Sequence, residues 1–152
     1  MKSRLTLAGG VVALIAALTL PAADAAAPAV QLSAKLKGAK EVPGPGDPNG
    51  KGEIFVAVKK QKRKVCFELR FRKIEDPEAG HIHKGGRNDA GPVKVLLFED
   101  RAGLPGRRFE DCVKGKRKTL RKIARNPERY YVNIHNDDYP DGAIRGQLKP
   151  AL

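Results

Sequence analysis

The segment 64–71 constrains the fold of this chain most strongly, because its apolar residues occupy every second position. These apolar residues are Val65, Phe67, Leu69 and Phe71. In an extended strand, alternate side chains point to opposite faces, so a period of two gives one face that packs on a core and one that faces outward. The pattern therefore predicts a β-strand that covers one side of a hydrophobic core.

Short runs of β-type composition recur along the chain and are separated by turn residues. They lie at 32–37, 53–59, 64–71, 79–84, 91–98, 107–113, 130–135 and 143–149. The runs at 53–59 and 93–98 are apolar at more positions, which is typical of central strands. Only residues 119–124 have a helical pattern, with Thr119 as the N-cap and Asn126-Pro127 at the end. We predict an all-β fold, a Greek-key-like antiparallel sandwich of about eight strands with one short helix.

The N-terminal residues have the order of charged, apolar and small residues that is typical of an export signal. Lys2 and Arg4 precede an apolar stretch at 5–20, and Ala23-Asp24-Ala25 fits an A-x-A cleavage site. We predict a signal peptide over 1–25. The alternative is a retained membrane anchor, but the stretch is shorter than the roughly 20 apolar residues that a spanning helix needs.

After cleavage, the chain has room for one domain with its own core. Residues 26–31 are expected to form a flexible lead-in to a domain over 32–150. No second apolar stretch of the same kind follows. We therefore expect a secreted, extracytoplasmic protein whose mature chain does not span a membrane.

The chain has two cysteines, Cys66 and Cys112, and both lie in the part that would be exported. In an oxidising compartment we expect one disulfide between them, and the alternative is a pair of free buried thiols. Such a bond contributes up to about 4 kcal/mol in the chain-entropy model. The wide spacing contains no CxxC, so the sequence gives no thiol-redox motif.

The chain is strongly basic, with 30 Lys and Arg against 17 Asp and Glu and a formal net charge of +13. This balance favours acidic or polyanionic partners. Sequence-specific nucleic-acid binding is not expected, because Trp is absent and few aromatic residues are left for stacking. The candidate polyanion contacts are Lys59, Lys60, Lys62, Arg63, Lys116, Arg117, Lys118, Arg121 and Lys122. Arg125 comes shortly after the last of them. Solvated strand ends that keep β edges apart are an equal alternative.

The three histidines of the chain, His81, His83 and His135, are predicted to share one outward face. Each lies in a β-type run in which apolar residues alternate with it, as Ile82 and Ile134 do. Three imidazoles suit a single zinc or copper ion and leave one position open for water. The alternative needs no cofactor, because the three rings would then bond to loop backbone or to one another.

Several separated segments resemble one known pattern. They are Leu36–Pro43, His81–Gly85, Gly91-Pro92-Val93, Asn126-Pro127, Tyr130–His135 and Gly142–Leu148. Together they resemble the CHRD domain, the chordin-type module, in its exported single-domain form. The resemblance covers about 32–149, and it implies an extracytoplasmic β-sandwich without assigning a reaction to it.

Glu41 and Arg145 lie in two of the CHRD-like segments, and we expect them to form a structural ion pair that holds the first and last strands together. No nucleophile with an adjacent base accompanies them, so we assign no catalytic residue and expect no enzyme. The HxH pattern is faintly similar to copper-zinc superoxide dismutase, but that two-metal site needs more histidines than the three present here.

These observations favour a secreted, non-enzymatic CHRD-domain protein that acts as a binding or cell-envelope interaction module toward an acidic or polyanionic partner. The alternative function is a mononuclear zinc- or copper-binding protein that uses the three histidines.

Overall fold

The structure is a computed structural model of the 152-residue chain, and it describes residues 28–99 and 106–151. The predicted signal peptide, residues 1–25, lies outside the described residues. Within the two described ranges, no helix is long and apolar enough to cross a membrane.

The described residues form nine strands and one short α-helix, and all the strand pairs are antiparallel. The strands are β1 (Val30–Lys37), β2 (Lys51–Lys59), β3 (Lys64–Arg72), β4 (Ala79–Lys84), β5 (Val93–Phe98), β6 (Arg108–Lys114), β7 (Tyr130–Asn136), β8 (Tyr139–Gln147) and β9 (Lys149–Pro150). Helix α1 (Arg117–Arg125) lies between β6 and β7. The all-β prediction is therefore confirmed, and β1 begins two residues before the predicted position.

The strands form one nearly closed, sandwich-like sheet in the order β5-β4-β7-β8-β1-β2-β3-β6, with β9 paired to β1. The junction of β8 with β1 is narrow, because only Lys37 and Arg145 are paired across it. Two four-stranded halves therefore meet at this junction and enclose the core between them.

The core is built from one face of each long strand. In β3 the alternation is confirmed, since Val65, Phe67, Leu69 and Phe71 are buried. Helix α1 adds Leu120 and Ile123, which are three residues apart and therefore share a face. The outward positions of the strands are free to carry polar residues.

Helix α1 is longer than predicted, and the assignment of Thr119 as its N-cap is wrong. The helix begins at Arg117 after Lys116, whose carbonyl oxygen accepts a hydrogen bond from the amide of Leu120. Arg and Lys are good helix formers, so residues 117 and 118 extend the helix although no side chain caps it. Its predicted end at Asn126 is confirmed.

The prediction that 93–98 is a central strand is wrong, whereas the corresponding prediction for 53–59 is confirmed. The first segment forms β5 at one end of the strand order, and the second forms β2 between β1 and β3. Strand β5 buries Val95 but leaves Val93 and Leu96 49% and 46% exposed. Its apolar composition therefore reflects its position at the open seam beside β6, and not burial on both faces.

The predicted disulfide between Cys66 and Cys112 is confirmed. The two cysteines lie directly opposite each other in β3 and β6, with their Cα atoms 3.9 Å apart. The bond therefore fastens the last strand of the sheet to its neighbour.

Candidate functional site

Strands β4, β7 and β8 lie side by side and carry a group of polar residues on their outward face. The backbone register places His81 opposite Asn133, which in turn lies opposite Arg145. The intervening residues Ile82 and Val132 point into the core and are fully buried. Strict alternation therefore collects the chemistry-bearing side chains on one side of three strands.

The three histidines meet on this face, as the alternation predicted. One ring nitrogen from each residue lies within 4.8 Å of the corresponding atoms of the other two. The closest pair is Nδ1 of His81 and Nε2 of His135, which are 3.1 Å apart. Adjacent strands β4 and β7 therefore supply all three rings, with His81 and His83 on the first and His135 on the second.

Backbone carbonyl groups determine which nitrogen carries the proton in two of the rings. Nδ1 of His83 is 2.7 Å from the oxygen of Gly91, and Nδ1 of His135 is 2.8 Å from the oxygen of Pro140. A carbonyl oxygen only accepts, so each Nδ1 carries the proton and donates it. The Nε2 atoms of both rings therefore keep their lone pairs.

Nε2 of His83 is buried and makes no hydrogen bond of acceptable geometry, although the side chain of Asn133, whose Oδ1 is also buried without a partner, lies close enough to raise the pKa of His83. A buried polar atom normally has a partner, so an isolated lone pair requires an explanation. Within the described residues, His81 and His135 are the metal-ligating side chains grouped with it. The lone pair therefore belongs to a cluster that suits a cation.

Burial lowers the pKa of all three histidines below the usual value of 6.5. For His81 the pKa falls to about 4, because burial and repulsion from the other two rings act in the same direction. For His83 and His135, the hydrogen bonds to backbone carbonyls oppose the effect of burial. All three rings are neutral at pH 7, which is the form that ligates metals.

The cluster has the ligands of a zinc or copper site and lacks a fourth protein ligand. Zinc held at about 2.0–2.1 Å by each nitrogen separates the nitrogens by roughly 3.3 Å, which is close to the spacing of His81 and His135. The ring nitrogen of His83 lies within 4.8 Å of the other two. Among the described residues the group contains no carboxylate or thiolate, so a bound ion would keep one position for water.

A loop at 85–92 covers this face and makes it half-buried. Arg145 holds the loop, because its Nη2 donates to the oxygens of Gly86 and Asp89 at 2.7 and 2.9 Å. The guanidinium carbon also lies 3.4 Å from the ring centroid of Tyr131, which stacks in turn on His83. Arg145, Tyr131 and His83 therefore form one continuous stack beneath the loop.

Gly91 is the loop residue whose carbonyl orients His83. A Cβ atom at this position would lie 1.7 Å from the backbone oxygen of Lys84, so no side chain fits without a shift of backbone. The hydroxyl of Tyr131 accepts a hydrogen bond from the amide of Gly91 at 3.0 Å. The amide and carbonyl groups of Gly91 are thus both held against the sheet.

Glu41 and Arg145 are both buried, but their contacts differ from the predicted ion pair. Arg145 donates to loop carbonyls, while its Nη1 and Oε1 of Glu41 are buried without a hydrogen-bond partner. Burial raises the pKa of Glu41 to about 7, and the positive charge of Arg145 lowers it by a smaller amount. The two residues therefore interact through their charges, and Arg145 is bonded to the loop at 85–92.

Two basic runs that are distant in sequence, 59–63 and 116–125, come together at the tip of the β2–β3 hairpin. Of the predicted contacts, Lys60, Arg117 and Arg121 line a common cleft, which Gln61 and Arg125 complete. The remaining predicted residues lie nearby in the chain, outside this lining. They are Lys59, Lys62, Arg63, Lys116, Lys118 and Lys122.

The sequence signals the three histidines better than the residues that position them. The HxH spacing and the alternation in β7 identify the histidines, whereas Tyr131 and the carbonyl of Gly91 carry no separate signal. The glycine itself is a usable hint, because an isolated Gly beside a strand marks a close approach of backbone.

The family model of the CHRD domain matches residues 32–148, which include all three histidines and both cysteines. Neither the search of curated proteins nor the search of solved structures returned a match. The chain belongs to the CHRD domain family.

Proposed function

We propose that this protein is an extracytoplasmic binding module that holds a single zinc or copper ion with His81, His83 and His135. The observation that carries the proposal is the buried, unpartnered Nε2 of His83 beside the other two rings. The extracytoplasmic location is supported by the disulfide and by the occurrence of CHRD domains in extracellular proteins.

The contacts of the cluster favour a metal over a purely hydrogen-bonded arrangement. Hydrogen bonds account for Nδ1 of His83 and of His135 and for the contact between His81 and His135. They leave Nε2 of His83 without a partner of acceptable geometry, beside the amide of Asn133, whose Oδ1 is also unpartnered. Donation of Nδ1–H to a backbone carbonyl is also the usual way in which a protein orients a metal-ligating histidine.

The proposal is for binding and not for catalysis. Three neutral imidazoles suit either zinc or copper, and copper binds the more tightly of the two to a given set of nitrogen ligands. Asn133, which lies opposite His81 on the same face, offers a neutral amide and no general base. The arrangement therefore supports a carrier or a structural site.

The test is metal content measured by elemental analysis on protein purified without a histidine tag or chelator. We expect about one zinc or copper per chain, before or after incubation with the metal salts. The variant His83→Ala should lose the ion, whereas Lys84→Ala changes an exposed neighbour on the same strand and should retain it. A chain that binds neither metal, or a His81→Ala/His83→Ala/His135→Ala variant that still binds one, contradicts the proposal.

An acidic or polyanionic partner, which the charge balance favours, requires a different surface from the histidine cluster. The two surfaces share no residue, so either proposal can fail without the other.

A further inference from the structure

A cleft between the tip of the β2–β3 hairpin and α1 is lined almost entirely by cationic side chains. The lining is formed by Lys60, Gln61, Arg117, Arg121 and Arg125, and the volume is about 350 Å³. No acidic residue belongs to this lining in the described ranges. The cleft therefore concentrates positive charge in a concave surface, where it attracts anions most strongly.

The arginines of α1 form a regular row along the helix. Arg117, Arg121 and Arg125 are four residues apart, so successive side chains lie about 6 Å apart along one side. The opposite side of the helix carries Leu120 and Ile123, which are buried in the core. The packing of α1 therefore holds the row in a fixed direction relative to the sheet.

The hairpin and the helix are also fixed to each other. The amide of Gly115, just before α1, donates to the backbone oxygen of Arg63 at the hairpin tip over 2.9 Å. This bond joins the two basic runs at the point where they meet. The backbone segments that carry Lys60 and the arginine row are thus held next to each other.

Solvation of strand ends does not explain this arrangement. Lysines at the hairpin tip protect β edges, but a helix has no edge to protect. Helix α1 has no acidic residue in its first turn, and its arginines repel each other at a spacing of four residues. The element therefore carries an electrostatic cost that an anionic ligand would relieve.

We infer that this cleft binds an anionic polysaccharide. The planar guanidinium group of Arg presents parallel N–H donors that match carboxylate and sulfate groups. A row of three guanidinium groups suits a polymer with an acidic group on successive units. The cleft offers no aromatic ring on which bases could stack, which disfavours single-stranded nucleic acid. It offers no apolar side chain to insert into a lipid surface, which disfavours a membrane.

The test uses fluorescently labelled heparin as the anionic polysaccharide and measures the dissociation constant at 150 mM NaCl. The variant Arg117→Gln/Arg121→Gln/Arg125→Gln removes three charges from the cleft. A matched control, Lys37→Gln/Lys51→Gln/Arg72→Gln, removes three charges from a row of paired, exposed residues in β1, β2 and β3 that line a separate basic cleft. This row lies at the far end of β2, about 30 Å from Lys60.

We expect the cleft variant to weaken heparin binding by at least about tenfold and the control by less than about threefold. Equal losses in both variants would overturn the site, because net charge alone would then explain the binding. Equal affinity for a 30-nucleotide oligothymidylate or for phosphatidylserine vesicles would overturn the assignment to a polysaccharide. Arg117→Lys/Arg121→Lys/Arg125→Lys keeps the charge and the helix, so a loss of affinity in it isolates the contribution of the guanidinium groups.

Discussion

At the scale of single residues, burial acts in opposite directions on the acid and base groups of the outward face. It lowers the pKa of His81, His83 and His135 and raises that of Glu41, because a low-dielectric surrounding disfavours every charged form. Between about pH 4 and pH 7, His81 and Glu41 are therefore mostly neutral. Arg145 then remains the buried permanent charge among them.

The lowered pKa of His81 makes the metal-free protein sensitive to acid. In the unfolded chain the histidine takes up a proton near its usual value of 6.5, whereas in the folded chain it does so near 4. The unfolded state therefore binds more protons between these values, and the free energy of unfolding decreases as the pH falls through this window. We expect His81→Asn to reduce this decrease, as measured by urea unfolding at pH 7 and pH 5. If the free energy of unfolding decreases equally in both proteins between pH 7 and pH 5, the acid sensitivity does not come from His81.

The raised pKa of Glu41 gives the opposite pH dependence. In the unfolded chain the carboxyl ionises near 4.5, but in the folded chain it holds its proton until about pH 7. The folded state therefore binds more protons in this window, and its stability decreases as the pH rises through it. We expect Glu41→Gln to be more stable than the natural protein at pH 8 by about 2 kcal/mol and to differ little at pH 4.

Thermal and urea unfolding at the two pH values test this prediction directly. If Glu41→Gln is instead less stable at pH 8, then the ionised carboxylate stabilises Arg145, as the predicted ion pair requires.

At the scale of elements, the loop at 85–92 determines how the cluster is presented. It is held by Arg145 and Tyr131 from below, and it supplies the carbonyl of Gly91 that fixes the ring of His83. The ring of His83, a proposed metal ligand on a strand, is thus oriented by a residue on a loop. The stack of side chains between them transmits any displacement of the loop to His83.

Gly91→Ala should therefore weaken metal binding without touching a ligand. The new Cβ would meet the backbone oxygen of Lys84, so the loop must move and the bond to Nδ1 of His83 is lost. Loss of such an orienting contact typically reduces metal affinity by about 10–100-fold. Competition with a chromophoric zinc chelator measures the change. Gly86→Ala is the matched control in the same loop, because its Cβ meets only the flexible side chain of Asp89.

An equal effect of Gly86→Ala and Gly91→Ala on affinity contradicts this role of Gly91, because general loosening of the loop would then explain both. Loss of affinity confined to Gly91→Ala supports it.

The periodicity of the sequence predicts most of the strands and the helix, but it does not predict which strands lie next to each other. The alternation in β3 and the position of the helix end at Asn126 follow from local sequence, and both are confirmed. The edge position of β5 was missed, because an apolar run has the same composition beside an open seam as in the centre of a sheet. Strand order depends on contacts between distant segments, which local patterns do not encode.

In the candidate site, too, local sequence predicts the direction of side chains but not their distant partners. Alternation predicted the common face of His81, His83 and His135, because the direction of a side chain in a strand is a local property. The partners of Arg145 were not predicted, since they are backbone oxygens of a loop that any sequence could supply.

At the scale of the whole molecule, the disulfide and the histidine cluster lie in different halves of the sheet. The disulfide joins β3 to β6, and the cluster joins β4 to β7. The two halves share the core and the narrow junction of β8 with β1. The disulfide and a metal bound at the cluster would therefore fasten different pairs of strands.

We expect the contributions of metal and disulfide to stability to be additive, because distant sites without shared partners seldom couple. Zinc at 100 times its dissociation constant should raise the free energy of unfolding by about 2.7 kcal/mol. Cys66→Ala/Cys112→Ala should lower it by about 2–4 kcal/mol and leave the zinc increment unchanged. Guanidinium unfolding of both proteins with and without zinc gives the four values needed. A zinc increment that changes by more than about 1 kcal/mol in the cysteine variant would show that the two halves are coupled through the core.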